Sequence, residues 1–143
     1  MLSACGGGGG GGGSTPPTYT VTYNGNGAGS GDVPVDADNY AQGNTVTVLG
    51  NTGSLLRDGY TFAGWCVNAD GTGDSYTGGE TFPMGSNDVT LYAKWTPIPT
   101  YKVTYNGNEA DSGSVPVDAN NYAQEADVTV LGNTGILARD GHT

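Results

Sequence analysis

Asn68, Asp70, Thr72 and Asp74 alternate along one short stretch, with Gly73 in the sixth place counted from Asn68. Oxygen donors at alternate positions around a glycine suit a calcium loop, which closes with a bidentate carboxylate in the twelfth place. That place is held by Gly79, and Glu80 misses it by one residue. A hairpin loop rich in turn formers explains the same letters, so no metal ligands are assigned.

Other reactive groups are as sparse. Asp36 with Asp38, or Asp118 beside Asn120, bring polar groups close in sequence. Acid–base work on a glycosidic bond needs two carboxyls facing each other across a cleft, and one small sheet has few places for a cleft. Asp38 is moreover replaced by Asn120 in a later copy of the same stretch. As a nucleophile Cys66 needs a basic partner, and the sole histidine, His142, stands near the far end, where the first copy has Tyr60. The glycine run from Gly6 to Gly13 lacks the Lys-Ser or Lys-Thr that follows a phosphate loop. No catalytic or cofactor-binding residue is assigned, and a non-enzymatic protein is expected.

The formal charge is -10, and Arg57, Lys94, Lys102 and Arg139 are the whole basic inventory. Nucleic acid is held by clustered cations that release counterions, and a polybasic membrane patch needs the same clustering. Nucleic acid is therefore excluded as an expected partner.

Leu2-Ser3-Ala4-Cys5 resembles the lipobox of bacterial lipoproteins, in which the cysteine thiol receives a diacylglyceryl group. The basic and apolar stretches of a signal peptide should precede such a box, and only Met1 does, so the start is expected to lie earlier or the chain to be a fragment. The resemblance implies lipidation of Cys5 and a membrane partner through that anchor. Residues 1–18 then read as an anchor and a tether, since polyglycine behaves as a coil reaching about 5–6 Å times the square root of its length.

The elements that must position everything else come from a repeat. Residues 19–61 align without a gap on residues 101–143, with 11 differences among 43 pairs. Residues 62–95 have no second counterpart, so residues 19–95 are expected to be a complete module and residues 101–143 a truncated one. Residues 96–100 form the linker between them, stiffened by Pro97 and Pro99.

Within a copy the period is two. Tyr19, Val21 and Tyr23 alternate with threonines, as do Val46 and Val48, while Val89, Leu91, Ala93 and Trp95 alternate with more polar residues. Residues 61–67 read as a further strand around Phe62 and Trp65. Asn24-Gly25, Asp58-Gly59, Asp70-Gly71 and Gly78-Gly79 punctuate the runs as turns. Only residues 36–42 have room for a helical turn. The predicted fold is mainly β, with a small α+β arrangement at most, and its structural core is Phe62, Trp65, Val89, Leu91 and Trp95. Residues 101–143 lack the equivalents of Phe62, Trp65 and Trp95 and are expected to be loosely ordered alone.

The blocks YTVTYNGNG, VPVDADNYAQGNTVTVLGN, LLRDGYTFAGWCVNADGTGDSYT and VTLYAKW together resemble the Listeria/Bacteroides repeat, also called the internalin B-repeat. The resemblance covers residues 19–95 and, as far as they run, 101–143. It implies tandem β-grasp-like modules of a bacterial cell-surface or secreted protein, serving as stalk, spacer or adhesin segment. Host or matrix proteins and glycans are the partners it implies, and no catalytic residue carries over. Cys66 departs from the commoner tyrosine or asparagine after the tryptophan. The competing expectation is a binding module that stacks a glycan on exposed Tyr40, Tyr60, Tyr76 or Tyr92.

Overall fold

A strand survives only where another strand accepts its backbone hydrogen bonds, and this decides which of the alternating runs become sheet. The computed structural model describes residues 12–141. Its chain divides into two compact units, Met1–Thr96 and Pro97–Thr143. Every regular element among the described residues is a strand, so the fold is mainly β. Residues 36–42 form no helix: the Asp36 carboxylate accepts the Asp38 N–H at 3.0 Å, a local turn that competes with helical bonding.

The first unit holds β1 (Thr18–Tyr19), β2 (Val21–Asn24), β3 (Tyr40–Ala41), β4 (Thr45–Thr47), β5 (Tyr60–Cys66), β6 (Ser75–Tyr76), β7 (Thr81–Pro83) and all but the last residue of β8 (Val89–Pro97). Its main sheet has the order β2-β8-β5-β6, and β1-β3 and β4-β7 form two smaller ladders. β2 and β8 run parallel, with Val21 opposite Val89 and Asn24 opposite Tyr92. β8 continues through Thr96 and Pro97, positions expected in the linker. Proline is tolerated there because β2 no longer flanks β8 beyond Tyr92.

The alternating apolar groups meet in one core of Val21, Tyr23, Val46, Val48, Leu55, Trp65, Met84, Leu91 and Ala93. Of the predicted core residues, Trp65 and Leu91 are fully buried, while Phe62, Val89 and Trp95 are half-buried and packed against the cluster. Phe62 bridges the two indoles edge-on, its centroid 5.2 Å from that of Trp65 and 5.7 Å from that of Trp95. Full burial of a side chain such as Leu91 stabilises the fold by about 1.5–3 kcal/mol, and the half-buried ones contribute less. β5 loses its alternation at its end, where Gly64, Trp65 and Cys66 are all buried. Gly64 has φ +118°, and a Cβ there would lie 2.6 Å from the Tyr76 carbonyl oxygen, so glycine is required at that close approach.

In the second unit β9 (Thr100–Tyr101) pairs with β10 (Tyr122–Ala123), repeating the β1–β3 register 82 residues later. The bridge between Ser112 and Ala138 likewise repeats that between Ser30 and Leu56. Residues 103–106 and 127–129, the counterparts of β2 and β4, form no strand, and no described residue of this unit is buried. The partners of β2 and β4 in the first unit are β8 and β7, both drawn from the stretch that this copy lacks.

Candidate functional site

Arg57 enters the surface through a tight turn. The Tyr60 N–H donates to the Arg57 carbonyl at 3.1 Å, and Gly59 takes φ +75° between them. The turn lays the guanidinium over the Tyr60 ring, 4.2 Å from its centroid, while Arg57 Nη1 donates to the Asn26 carbonyl at 3.3 Å. Lys94 projects from β8 and donates to Ser75 Oγ at 3.0 Å. Both side chains line one open depression of about 260 Å³ together with Asn26, Tyr60, Asp70 and Trp95. The wall is fixed by Trp95, whose Nε1–H donates to the Gly25 carbonyl at 3.1 Å.

Arg57 and Lys94 are the only lysine or arginine among residues 12–96. Neither is ion-paired: the one salt bridge among the described residues joins Arg139 to Glu109 in the second copy, at 3.0 Å. The first copy has Gly27 where the second has Glu109, which leaves Arg57 without that carboxylate. The depression can therefore receive an anionic or planar polar group. Hydrogen bonds from Thr72 to Asp70, at the rim of the depression, hold its carboxyl below the usual carboxylate range.

The calcium-like loop is occupied by its own hydrogen bonds. Asp70 Oδ1 accepts the Thr72 N–H at 2.9 Å and the Thr72 hydroxyl at 2.6 Å. The Thr72 carbonyl accepts the Cys66 thiol at 2.8 Å. Among the described residues no group of three or more His, Cys, Asp or Glu is placed to hold a metal. Cys66 is free and buried, whereas His142 and the Leu2-Ser3-Ala4-Cys5 segment lie outside the described residues.

The tyrosines named for stacking are half-buried rather than exposed. Tyr40 donates its hydroxyl to Asp36 at 2.9 Å, Tyr60 lies under Arg57, and Tyr76 packs on Phe82 with centroids 5.1 Å apart. The Trp65 indole N–H donates to the Leu49 carbonyl at 2.8 Å within the core. Sequence reasoning missed two things. Leu55 and Met84 are buried with no periodic run to announce them, and the Arg57–Lys94 depression gathers residues far apart in the chain, which only the strand order brings together.

The family model of the Listeria-Bacteroides repeat domain matches residues 19–94, from β1 almost to the end of β8. Two relatives come from Evansella cellulosilytica. One, named "Putative Gly-rich membrane protein", is 37% identical over 129 residues, covering 87% of this chain and 14% of its own length. Another, named "Putative membrane protein", is 46% identical over 77 residues, covering 54% of this chain and 11% of its own length. The chain thus spans about a seventh or less of each relative. No solved structure matches it significantly. Since the matched residues make up more than half of the chain and take in its main sheet, the chain belongs to the Listeria-Bacteroides repeat domain family.

Proposed function

We propose that this chain is a non-enzymatic repeat region of a membrane-associated cell-surface protein, and that its modules act as spacers or adhesin segments. The observation that carries the reading is the parallel pairing of β2 with β8. The chain enters the sheet beside Val89 and leaves it at Pro97 along the same direction, so each module advances the chain by about 25 Å at 3.3 Å per residue. Names of the two Evansella relatives support membrane association. The glycine run supports a tether, and lipidation of Cys5 would supply its anchor.

In cells expressing the full-length coding region, deleting residues 19–100 should weaken whatever the distal part does, and a foreign β-module of similar span should restore it. Restoration by the native module alone would replace the spacer reading with one of specific recognition. For the anchor, Cys5→Ser should abolish incorporation of a clickable fatty acid; unchanged labelling would remove Cys5 from the proposal.

One observation favours a second reading, the gathering of both first-unit cations in the Arg57–Lys94 depression beside Tyr60 and Trp95. An acidic sugar would suit it, its carboxylate against the guanidinium and its ring on an aromatic face. Titration with galacturonate should then shift the Trp95 indole resonance, and a spectrum unchanged at millimolar sugar would discard this reading.

A further inference from the structure

We infer that the first unit resists tension as a shear clamp formed by β2 and β8. This rests on the spacer reading for its use in the cell but not for its mechanics. The first strand of the main sheet is hydrogen-bonded to the last, and the two run parallel from Val21 opposite Val89 to Asn24 opposite Tyr92. Tension along the chain draws β2 toward its amino end and β8 toward its carboxyl end. The two strands then slide along each other, and the slanted, evenly spaced bonds of a parallel pair are strained together rather than one after another.

Side chains lock the same pair at both ends. At the amino end Asp88 Oδ1 accepts the Thr20 N–H at 2.7 Å and the Thr20 hydroxyl at 3.1 Å, and the Val89 N–H donates to the Thr20 carbonyl at 2.9 Å. In the middle the Thr22 and Thr90 hydroxyls meet at 3.1 Å. Past the last backbone rung, Asn26 Nδ2 donates to the Ala93 carbonyl at 2.9 Å and Trp95 Nε1 to the Gly25 carbonyl at 3.1 Å. Beneath the pair Val21, Tyr23, Leu91 and Ala93 are buried, so sliding also drags apolar surface into water. The two-residue β1 lies outside this clamp and peels from β3 first.

The second unit is the control within the same chain. Its counterpart of β2, residues 103–106, forms no strand, and it should extend without a distinct force peak.

Single-molecule pulling tests the clamp on the full chain carrying Cys5→Ser, with handles on introduced cysteines. Handles at Pro17→Cys and Ile98→Cys load β2 and β8 in shear, and handles at Pro17→Cys and Asn87→Cys peel them from one end. Forced unfolding reports the barrier, not the equilibrium stability. The shear pair should rupture at a force several-fold above the peeling pair, releasing about 250 Å for about 75 residues at 3.3–3.6 Å each. Asn26→Gly, which keeps the backbone free at that turn, should lower the shear force and leave the peeling force unchanged. Equal forces in the two geometries, or an equal drop in both on Asn26→Gly, would overturn the clamp. Neither result touches the spacer reading, which stands or falls on module replacement in cells.

Discussion

Val46 and Val128 occupy the same place in two copies of one sequence, yet Val46 is 0% exposed and Val128 is 40% exposed. Val48 at 1% and Val130 at 76% repeat the contrast. What the copies share is local. In each, an asparagine brackets a leucine four residues on: Asn51 accepts the Leu55 N–H at 2.7 Å, and Asn133 accepts the Leu137 N–H at 2.7 Å. In each, a tyrosine hydroxyl accepts a backbone N–H 26 residues later, Leu49 onto Tyr23 at 2.8 Å and Leu131 onto Tyr105 at 2.9 Å. What differs is every ladder whose second strand comes from residues 62–95. The loops are thus encoded by the first 43 residues of a repeat, and burial is supplied by the rest.

The sharpest challenge to that comparison is to give the second copy what the first has. Appending residues 62–95 after Thr143 should create a second cooperative unfolding transition, with an enthalpy of roughly 50 kcal/mol at about 0.7 kcal/mol per residue. Residues 101–143 in isolation should show none by calorimetry. A cooperative melt of the isolated segment would mean that the shared loops suffice for folding.

Within the first copy the largest single loss should follow Trp65→Ala. That side chain is fully buried, with Tyr23 edge-on at 4.8 Å and its own N–H satisfied by Leu49. Truncating such a core residue costs about 3–5 kcal/mol, most of the stability of a module this small. Urea unfolding followed by Trp95 fluorescence measures it, and a cost below about 1 kcal/mol would show that Trp65 is not central.

Matched substitutions probe the same contrast more finely. Val46→Ala should cost about 2 kcal/mol, since it removes buried methyl groups and leaves a cavity. Val128→Ala should leave the tryptophan-detected transition within about 0.5 kcal/mol, as expected of a surface change. Both indoles lie in the first copy, so the signal reports that copy alone. Equal shifts from the two substitutions would contradict the burial difference.

The alternating runs made the mainly β fold legible, because a period of two needs no knowledge of partners. Leu91 could be placed in the core for the same reason, and Trp65 by its size, although β5 loses its alternation there. Met84 could not, since it follows Pro83 in a turn-rich stretch and its burial depends on backbone bonds between residues 43–44 and 84. Strand order was also hidden: nothing in VTYN or VTLY states that the first and last strands lie side by side and parallel. The depression at Arg57 and Lys94 follows from that order, so it was no more visible than the order itself.

The smallest expected effect concerns one hydrogen bond that both copies keep. Tyr40 donates to Asp36 at 2.9 Å and Tyr122 to Asp118 at 2.7 Å. Burial is the main cause that pushes the Tyr40 phenol up to about 12, with the Asp36 hydrogen bond second. The Tyr122 phenol is raised chiefly by its bond to Asp118. Removing the carboxylate should therefore act unequally. Asp118→Asn should return Tyr122 most of the way to the ordinary phenol value near 10, whereas Asp36→Asn should lower Tyr40 only in part. A phenol raised in the folded state stabilises fully below the unfolded value and loses that contribution as pH climbs through the folded one. The first copy should accordingly weaken between pH 10 and about 12, over a narrower span in Asp36→Asn. Carbon NMR of ring-labelled tyrosine resolves the two titrations. Equal falls at Tyr40 and Tyr122 would show that burial does not separate the copies at this position.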